Sequence, residues 1–224
     1  LEIEKINVFL PSAKKIAVSD SSFFVNRKKE SLFYGLPSVD AEKFELFRFG
    51  YHGISAASVV RKLEEDFNVK PSRLIICHLG SGASVIAVKD GKGFDSSMGF
   101  TPLEGLMMAT RSGDIDAGAV TFLMKKLNLS PAEMNEYLNN KSGLLGISSK
   151  TDDMREIIKL KDSGDENANI AFDVFAYRVK KYVGAFMAAM GGLDAIVFTG
   201  TMGERSNIVR AKVLEGVSGL GIEL

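Results

Sequence analysis

Tryptophan is missing from this chain, cysteine occurs once, histidine twice and proline five times in 224 residues. A single cysteine excludes an internal disulfide framework and fits a reducing compartment, so a cytoplasmic location is expected. No charge of one sign dominates. The 28 Lys and Arg balance 28 Asp and Glu, which leaves no basic field for nucleic acid or for an anionic membrane. No apolar run approaches the ~18 residues of a spanning helix; the closest, Val183 to Met190, sits in a charged helical pattern. The opening Leu-Glu-Ile-Glu-Lys lacks the basic-then-apolar order of a signal peptide. It also lacks an initiating methionine, which suggests a chain cut from something longer. What remains is 46% hydrophobic, enough to pack one large domain or two small ones.

The stretch that organises the rest is Leu74 to Ser84, Leu-Ile-Ile-Cys-His-Leu-Gly-Ser-Gly-Ala-Ser, followed by Val85 to Val88. It reads as two strands joined at Gly80-Ser81-Gly82. Glycines one residue apart allow positive φ and bring backbone N–H groups against something bulky and anionic, and Ser81 and Ser84 add hydroxyls. Taken alone, the stretch also reads as an ordinary hairpin turn.

Around it the pattern predicts a short strand at Lys15 to Val18 ending at Asp20, a turn or cap acid or else a strand-end carboxylate. A helical turn is expected at Asp40–Lys43 and a helix at 56–67 with Val59, Val60, Leu63 and Phe67 on one face. His52 stands just before that helix, between Tyr51 and Gly53. Leu103 to Ala109 reads as buried. Arg111 either pairs with Asp114 or Asp116 as a surface bridge or offers its planar fork to a phosphoryl group. Helices are predicted at 117–127, at 131–139 behind a Ser130-Pro131-Ala132-Glu133 capping box, from a Thr151 or Asp152 cap to Lys161, and at 167–190. The last should carry Ile170, Val174 and Tyr177 on its apolar face and stop at Gly191-Gly192. Residues 141–148 read as a glycine-punctuated loop and Ala195–Thr199 as a buried strand. That strand enters a glycine-rich loop, Gly200 to Glu204, before a helix near Ser206, an arrangement suited to an anion or nucleotide edge. The tail from Gly219 to Leu224 reads as a strand.

Several segments together closely resemble the acetate kinase family, which includes propionate and butyrate kinases. They are Arg48-Phe49-Gly50-Tyr51-His52-Gly53-Ile54-Ser55, His78 to Ser84, and Ser97 to Met108 running into Thr110-Arg111-Ser112-Gly113-Asp114-Ile115-Asp116. Lys141 to Gly146, Asp173 to Arg178 and Gly191 to Thr199 complete the set. The resemblance implies an α/β, actin-like ATPase (ribonuclease H-like) fold, mainly the second, nucleotide-binding domain of a two-domain kinase. Residues 1–19 would be a segment entering from a first domain, and 20–224 the second domain, C-terminally truncated and incomplete as an enzyme by itself.

By the same resemblance Asp20, His52 and Arg111 are catalytic. His78, Leu79, Gly80, Ser81 and Gly82 form the phosphate turn. Asp153, Met154, Arg155, Thr201, Met202, Gly203, Glu204 and Arg205 bind the nucleotide, and Tyr51 and Pro102 line the acyl pocket. The implied reaction is phosphorylation of a short carboxylate by ATP with Mg²⁺, whose family ligands lie outside this chain, in a homodimer. ATP or ADP and a small carboxylate or acyl phosphate are the implied partners. The sequence departs from the family at Ala56 (usually His), Ser81 (Asn), Thr201-Met202 (Gly-Ile) and Arg205 (Asn), which predicts an altered or partly closed adenosine wall. The competing reading is a catalytically impaired nucleotide-binding or assembly module of the same fold.

Overall fold

In the computed structural model, which describes residues 2–222, one four-stranded sheet carries the chain. Its strands are β1 (Arg73–Leu79), β2 (Ala83–Lys89), β3 (Lys92–Ser96) and β4 (Ala195–Thr199), in the order β3-β2-β1-β4. β1 pairs antiparallel with β2 and parallel with β4, and β2 pairs antiparallel with β3. The parallel pair is pinned at its start. Arg73 donates its backbone N–H to Asp194 Oδ2 at 2.8 Å and its guanidinium to the Gly191 carbonyl at 2.8 Å.

The period-2 geometry of a strand sends alternate residues to opposite faces. Ile75, Cys77 and Leu79 of β1, with Ala83, Val85 and Ala87 of β2, meet one core, while Leu74, Ile76, Ile86 and Val88 meet another. The first core is closed by the helices α6 (Gly143–Ser148), α7 (Met154–Asp162), α8 (Glu166–Met190) and α10 (Asn207–Leu214). The second is closed by α3 (Gly53–Phe67) and by Phe24. Each large apolar side chain removed from water this way contributes about 1.5–3 kcal/mol. The remaining helices are α1 (Glu2–Phe9), α2 (Ser38–Lys43), α4 (Ala117–Leu127), α5 (Pro131–Asn140) and α9 (Gly200–Arg205). No helix among the described residues is long and apolar enough to cross a membrane.

Several sequence expectations need correction. Residues 15–18 form no strand; they are exposed and pair with no strand of the sheet. Phe67 lies exposed at the end of α3, while Val59, Val60 and Leu63 pack against the second core. Residues 143–148 are helical, because tertiary partners meet the helix start: Leu144 and Leu145 donate their N–H groups to the carbonyls of Met108 and Ala109 at 2.9 and 3.0 Å. The cap of α7 is Asp153, not Thr151 or Asp152. On α8 the buried stripe runs through Ala168, Ala171, Phe172, Phe175, Val179, Val183 and Phe186, leaving Ile170 and Tyr177 outside. β4 is only half-buried because it is the sheet's edge. Gly200 to Arg205 closes into α9 rather than a loop, and Ser218–Leu220 forms a 3₁₀ turn where a strand was expected. The end of that expected strand, 223–224, lies outside the described residues.

Candidate active site

The β1–β2 turn ends beside the N-terminus of α3. Neither Gly80 nor Gly82 adopts positive φ, contrary to the expectation from sequence. Glycine at 82 matters for what it leaves open. A Cβ there would stand 3.6 Å from Arg111 Nη1 and 3.6 Å from His52 Nε2. The two side chains, distant in sequence, face one gap over the turn.

His52 is held from three sides. Its backbone is left-handed, φ 60°, which turns the chain sharply into α3. Its Nδ1 shares a 2.9 Å hydrogen bond with the buried Ser84 hydroxyl. Its ring stacks on His78, whose own Nδ1 meets the Ser55 hydroxyl at 3.0 Å. Burial first, then the neighbouring His78, pushes the His52 pKa down to about 4, while Asp20 opposes the shift. Burial likewise lowers His78. Both rings are therefore neutral near pH 7.

Asp20 caps α3 across a long sequence gap. Its Oδ2 accepts the His52 N–H at 2.6 Å, its Oδ1 the Ile54 N–H at 3.1 Å, and its carbonyl the Gly53 N–H at 3.1 Å. A carboxylate at this helix end meets both orphan donors and the positive end of the dipole. Gly53 is required because a Cβ there would run into the Asp20 carbonyl. Asp20 thus stands behind His52.

Among the described residues Arg111 forms no surface bridge. Asp114 instead accepts from Gly105 N–H and from the Tyr182 hydroxyl, at 2.8 and 2.7 Å, and Asp116 caps α4 through Ala119 N–H. Among the described residues no carboxylate lies within ion-pair distance of Arg111. Its Nη1 makes only long contacts to the Pro102 carbonyl, 3.4 Å, and Met108 sulfur, 3.6 Å. Its loop is tied to the turn by Ala109 N–H donating to Ser81 O at 3.2 Å. Tyr51 donates its hydroxyl to the Phe100 carbonyl at 2.8 Å, so Tyr51 and the loop bearing Pro102 lie side by side.

Beyond the turn opens a cleft of about 550 Å³. Of the sequence-predicted nucleotide residues, Gly80, Ser81, Asp153, Met154, Arg155, Thr201, Met202 and Arg205 line it. Thr201, Met202 and Arg205, three positions where the sequence departs from the family, lie on the wall of the cleft. His78, Leu79, Gly82, Gly203 and Glu204 are not on its wall. His78 faces His52, Leu79 is sealed in the core, and Gly203 is buried against β1. Sequence reasoning left Asp152, Ile158, Ser206, Asn207 and Ile208 out of the wall; the Ser206 cap opening a helix was the available signal for the last three. Arg155 is already engaged. Its side-chain and backbone N–H groups hold the Asp153 carboxyl down to about 2.

Fold and corner define a mixed α/β domain whose parallel strands end beside the gap faced by Arg111 and His52 and the cleft beyond it, the usual ligand position in such sheets. A profile described as the Acetokinase family matches residues 1–224, and the chain belongs to that family. It is 44% identical over 224 residues to the acetate kinase of Dictyoglomus turgidum, covering 99% of this chain and 55% of that one. Its structure is similar to that of Porphyromonas gingivalis acetate kinase, with TM-score 0.92 and 42% identity over 98% of this chain and 56% of the other. A propionate kinase from Francisella tularensis matches with TM-score 0.93 and 36% identity, over 98% and 57%. The fold implied by the resemblance is thus that of the solved acetate and propionate kinases. The chain spans about half the length of the curated relatives it matches.

Proposed function

We propose that this chain is the nucleotide-side domain of a cytoplasmic, homodimeric kinase that moves a phosphoryl group between ATP and a short carboxylate. Residues 20–224 form that domain and 1–19 the segment entering it. The observation that carries the reading is Arg111, without a carboxylate partner among the described residues, facing neutral His52 across Gly82. Transfer between phosphate and carboxylate oxygens asks for alignment and charge stabilisation more than for covalent chemistry. With Ser84 donating to Nδ1, His52 presents Nε2–H to the transferring group, and Arg111 offers its fork. The adenosine side lies along the Asp153–Arg155 and Thr201–Arg205 walls, with the phosphates over Gly80–Gly82 and the acyl end between Tyr51 and Pro102. The exposed Ile170 and Tyr177 of α8 support a dimer contact.

Among the described residues no three His, Cys, Asp or Glu come together to hold a metal ion. Mg²⁺ would suit this site as a companion of ATP, where it would supply positive charge against that of the phosphates. Asp20 keeps lone pairs beyond its two backbone donors and is the residue that would meet such an ion through water.

The test is a hydroxamate trap for acyl phosphate on the product of the complete reading frame, with acetate, propionate and butyrate. ATP-dependent hydroxamate with one of these acids supports the reading. Nucleotide binding without acyl phosphate from any of them refutes it.

A further inference from the structure

The segment that leads into His52 and the loop that leads to Arg111 are stitched together by side chains with no part in the chemistry above. Tyr34, from the turn before α2, touches the second loop twice. Its hydroxyl donates to Glu104 Oε2 and accepts the Phe100 N–H at 2.8 Å. Arg48 reaches Glu104 Oε1 with Nη1 and the Ser96 carbonyl with Nη2 at 2.7 Å. Asp95 stands between Arg48, 4.0 Å away, and the buried Arg27, 3.6 Å away. Arg27 in turn grips the carbonyls of Arg48 and Phe49. The backbones join as well, because Phe49 and Gly50 both donate to the Gly99 carbonyl at 3.0 and 3.3 Å. A Cβ at Gly99 would displace the Glu104 carboxylate and the Tyr34 hydroxyl from these contacts.

This chain of phenol, carboxylate and guanidinium groups lies beneath a functional boundary. Tyr51 follows Arg48 by three residues, and Pro102 precedes Glu104 by two. Tyr51 meets the loop at the Phe100 carbonyl, and the Pro102 carbonyl takes Arg111. The Arg48–Glu104 contact therefore acts together with the Tyr51–Phe100 hydrogen bond on how Tyr51 stands relative to the loop that carries Pro102. Both carboxylate oxygens of Glu104 are engaged in directions that a shorter or neutral side chain cannot reproduce.

We propose that Tyr34, Arg48 and Glu104 form a positioning clamp that sets the width of the Tyr51–Pro102 gap and thereby the length of acyl chain accepted. The inference rests on the carboxylate-kinase reading given above. The clamp touches neither nucleotide wall, so its effect falls on the carboxylate and leaves the nucleotide alone. Losing the Tyr34 hydroxyl frees Glu104 and the Phe100 N–H together and lets the loop relax outward, which favours the longer acid.

The experiment uses the complete reading frame and measures kcat and KM for acetate, propionate and ATP in wild type, Tyr34→Phe and Glu104→Gln. The expected result is a rise of about fivefold or more in the propionate-to-acetate ratio of kcat/KM, a part of the ~10–200-fold that one methylene is worth in a fitted pocket. KM for ATP should stay within about twofold. A variant that merely loosened the fold would lower all rates together and leave the ratio unmoved. Glu104→Gln keeps the side-chain volume and serves where Tyr34→Phe fails to fold. A folded variant with an unchanged ratio, or with KM for ATP raised as much as that for acetate, overturns the clamp. A wild type that makes no acyl phosphate overturns the functional reading and the clamp with it, so the two failures are told apart by the wild-type lane.

Discussion

The imidazoles of His52 and His78 stack with centroids 4.2 Å apart and planes inclined by 30°. Both rings are largely removed from water, and two rings this close cannot both carry charge cheaply. The folded chain therefore holds His52 at about 4 against 6.5 when unfolded. His78 is shifted in the same direction, again chiefly by burial.

Stability should accordingly depend on acidity with a definite sign. Between pH 6.5 and about 4 the unfolded chain binds protons that the folded chain refuses, so unfolding becomes easier as pH falls. The contribution is complete above 6.5 and is lost as pH falls through about 4. A thermal melt series across this window should show Tm dropping towards acid, with a shallower slope for His52→Gln. Equal slopes in the two proteins would mean that the stacked pair is not the sensor.

Gly82→Ala separates room from backbone strain. The added Cβ would meet Arg111 and His52 at ordinary van der Waals distance, and φ at 82 is not in the left-handed region, so folding should survive. The methyl group nevertheless occupies the gap both side chains face. Misplacing reacting groups by about 1 Å costs roughly 10²-fold in rate. The expected outcome is a Tm near wild type with turnover down by about that factor. A variant that turned over normally would show that the phosphoryl group passes elsewhere.

Arg111 offers the most direct comparison. Its guanidinium lacks a carboxylate partner among the described residues, so removing it breaks no ion pair among them. Arg111→Ala in the complete reading frame should lower kcat by ~10³-fold or more, by analogy with arginines that stabilise phosphoryl transfer, with little change in Tm. Arg111→Lys should recover only part of the rate, since an ammonium cannot reproduce the fork. Near-normal turnover in Arg111→Ala would remove Arg111 from the mechanism.

Much of this was legible in the sequence where the cause is local. The capping box at Ser130 and Glu133 forms as the pattern implies, and α8 ends at Gly191, whose φ is 78°. What failed depended on partners far along the chain. The buried stripe of α8 is built partly from Ala168, Ala171 and Ala176, which carry little apolar weight, so Ile170 and Tyr177 suggested the wrong face. Residues 143–148 looked like loop because the carbonyls that receive the first N–H groups of α6 belong to Met108 and Ala109. At the site, the resemblance pointed to Asp20, His52 and Arg111; in the fold His52 and Arg111 face one gap over Gly82, and Asp20 caps the helix that begins behind His52. The Ser84 and Ser55 hydroxyls that fix both rings, and the Tyr34–Glu104–Arg48 contacts, join positions that no local period relates.

Asp20 has two duties that substitution can separate. As a cap it holds the His52 and Ile54 N–H groups, and its loss should cost about 1 kcal/mol, or ~2–4 °C in Tm for a chain of this size. As a charge beside His52 it bears on any ion or phosphate placed in the gap. Asp20→Ala removes both, whereas Asp20→Asn keeps one acceptor oxygen and the shape. Melting curves should therefore rank wild type, Asn and Ala in descending order with Asn close to wild type. Turnover should fall strongly in both variants, because the amide restores the helix start and not the charge. If Asp20→Asn regained activity along with stability, the carboxylate would be a structural cap alone, and the role in phosphoryl transfer would rest on His52 and Arg111.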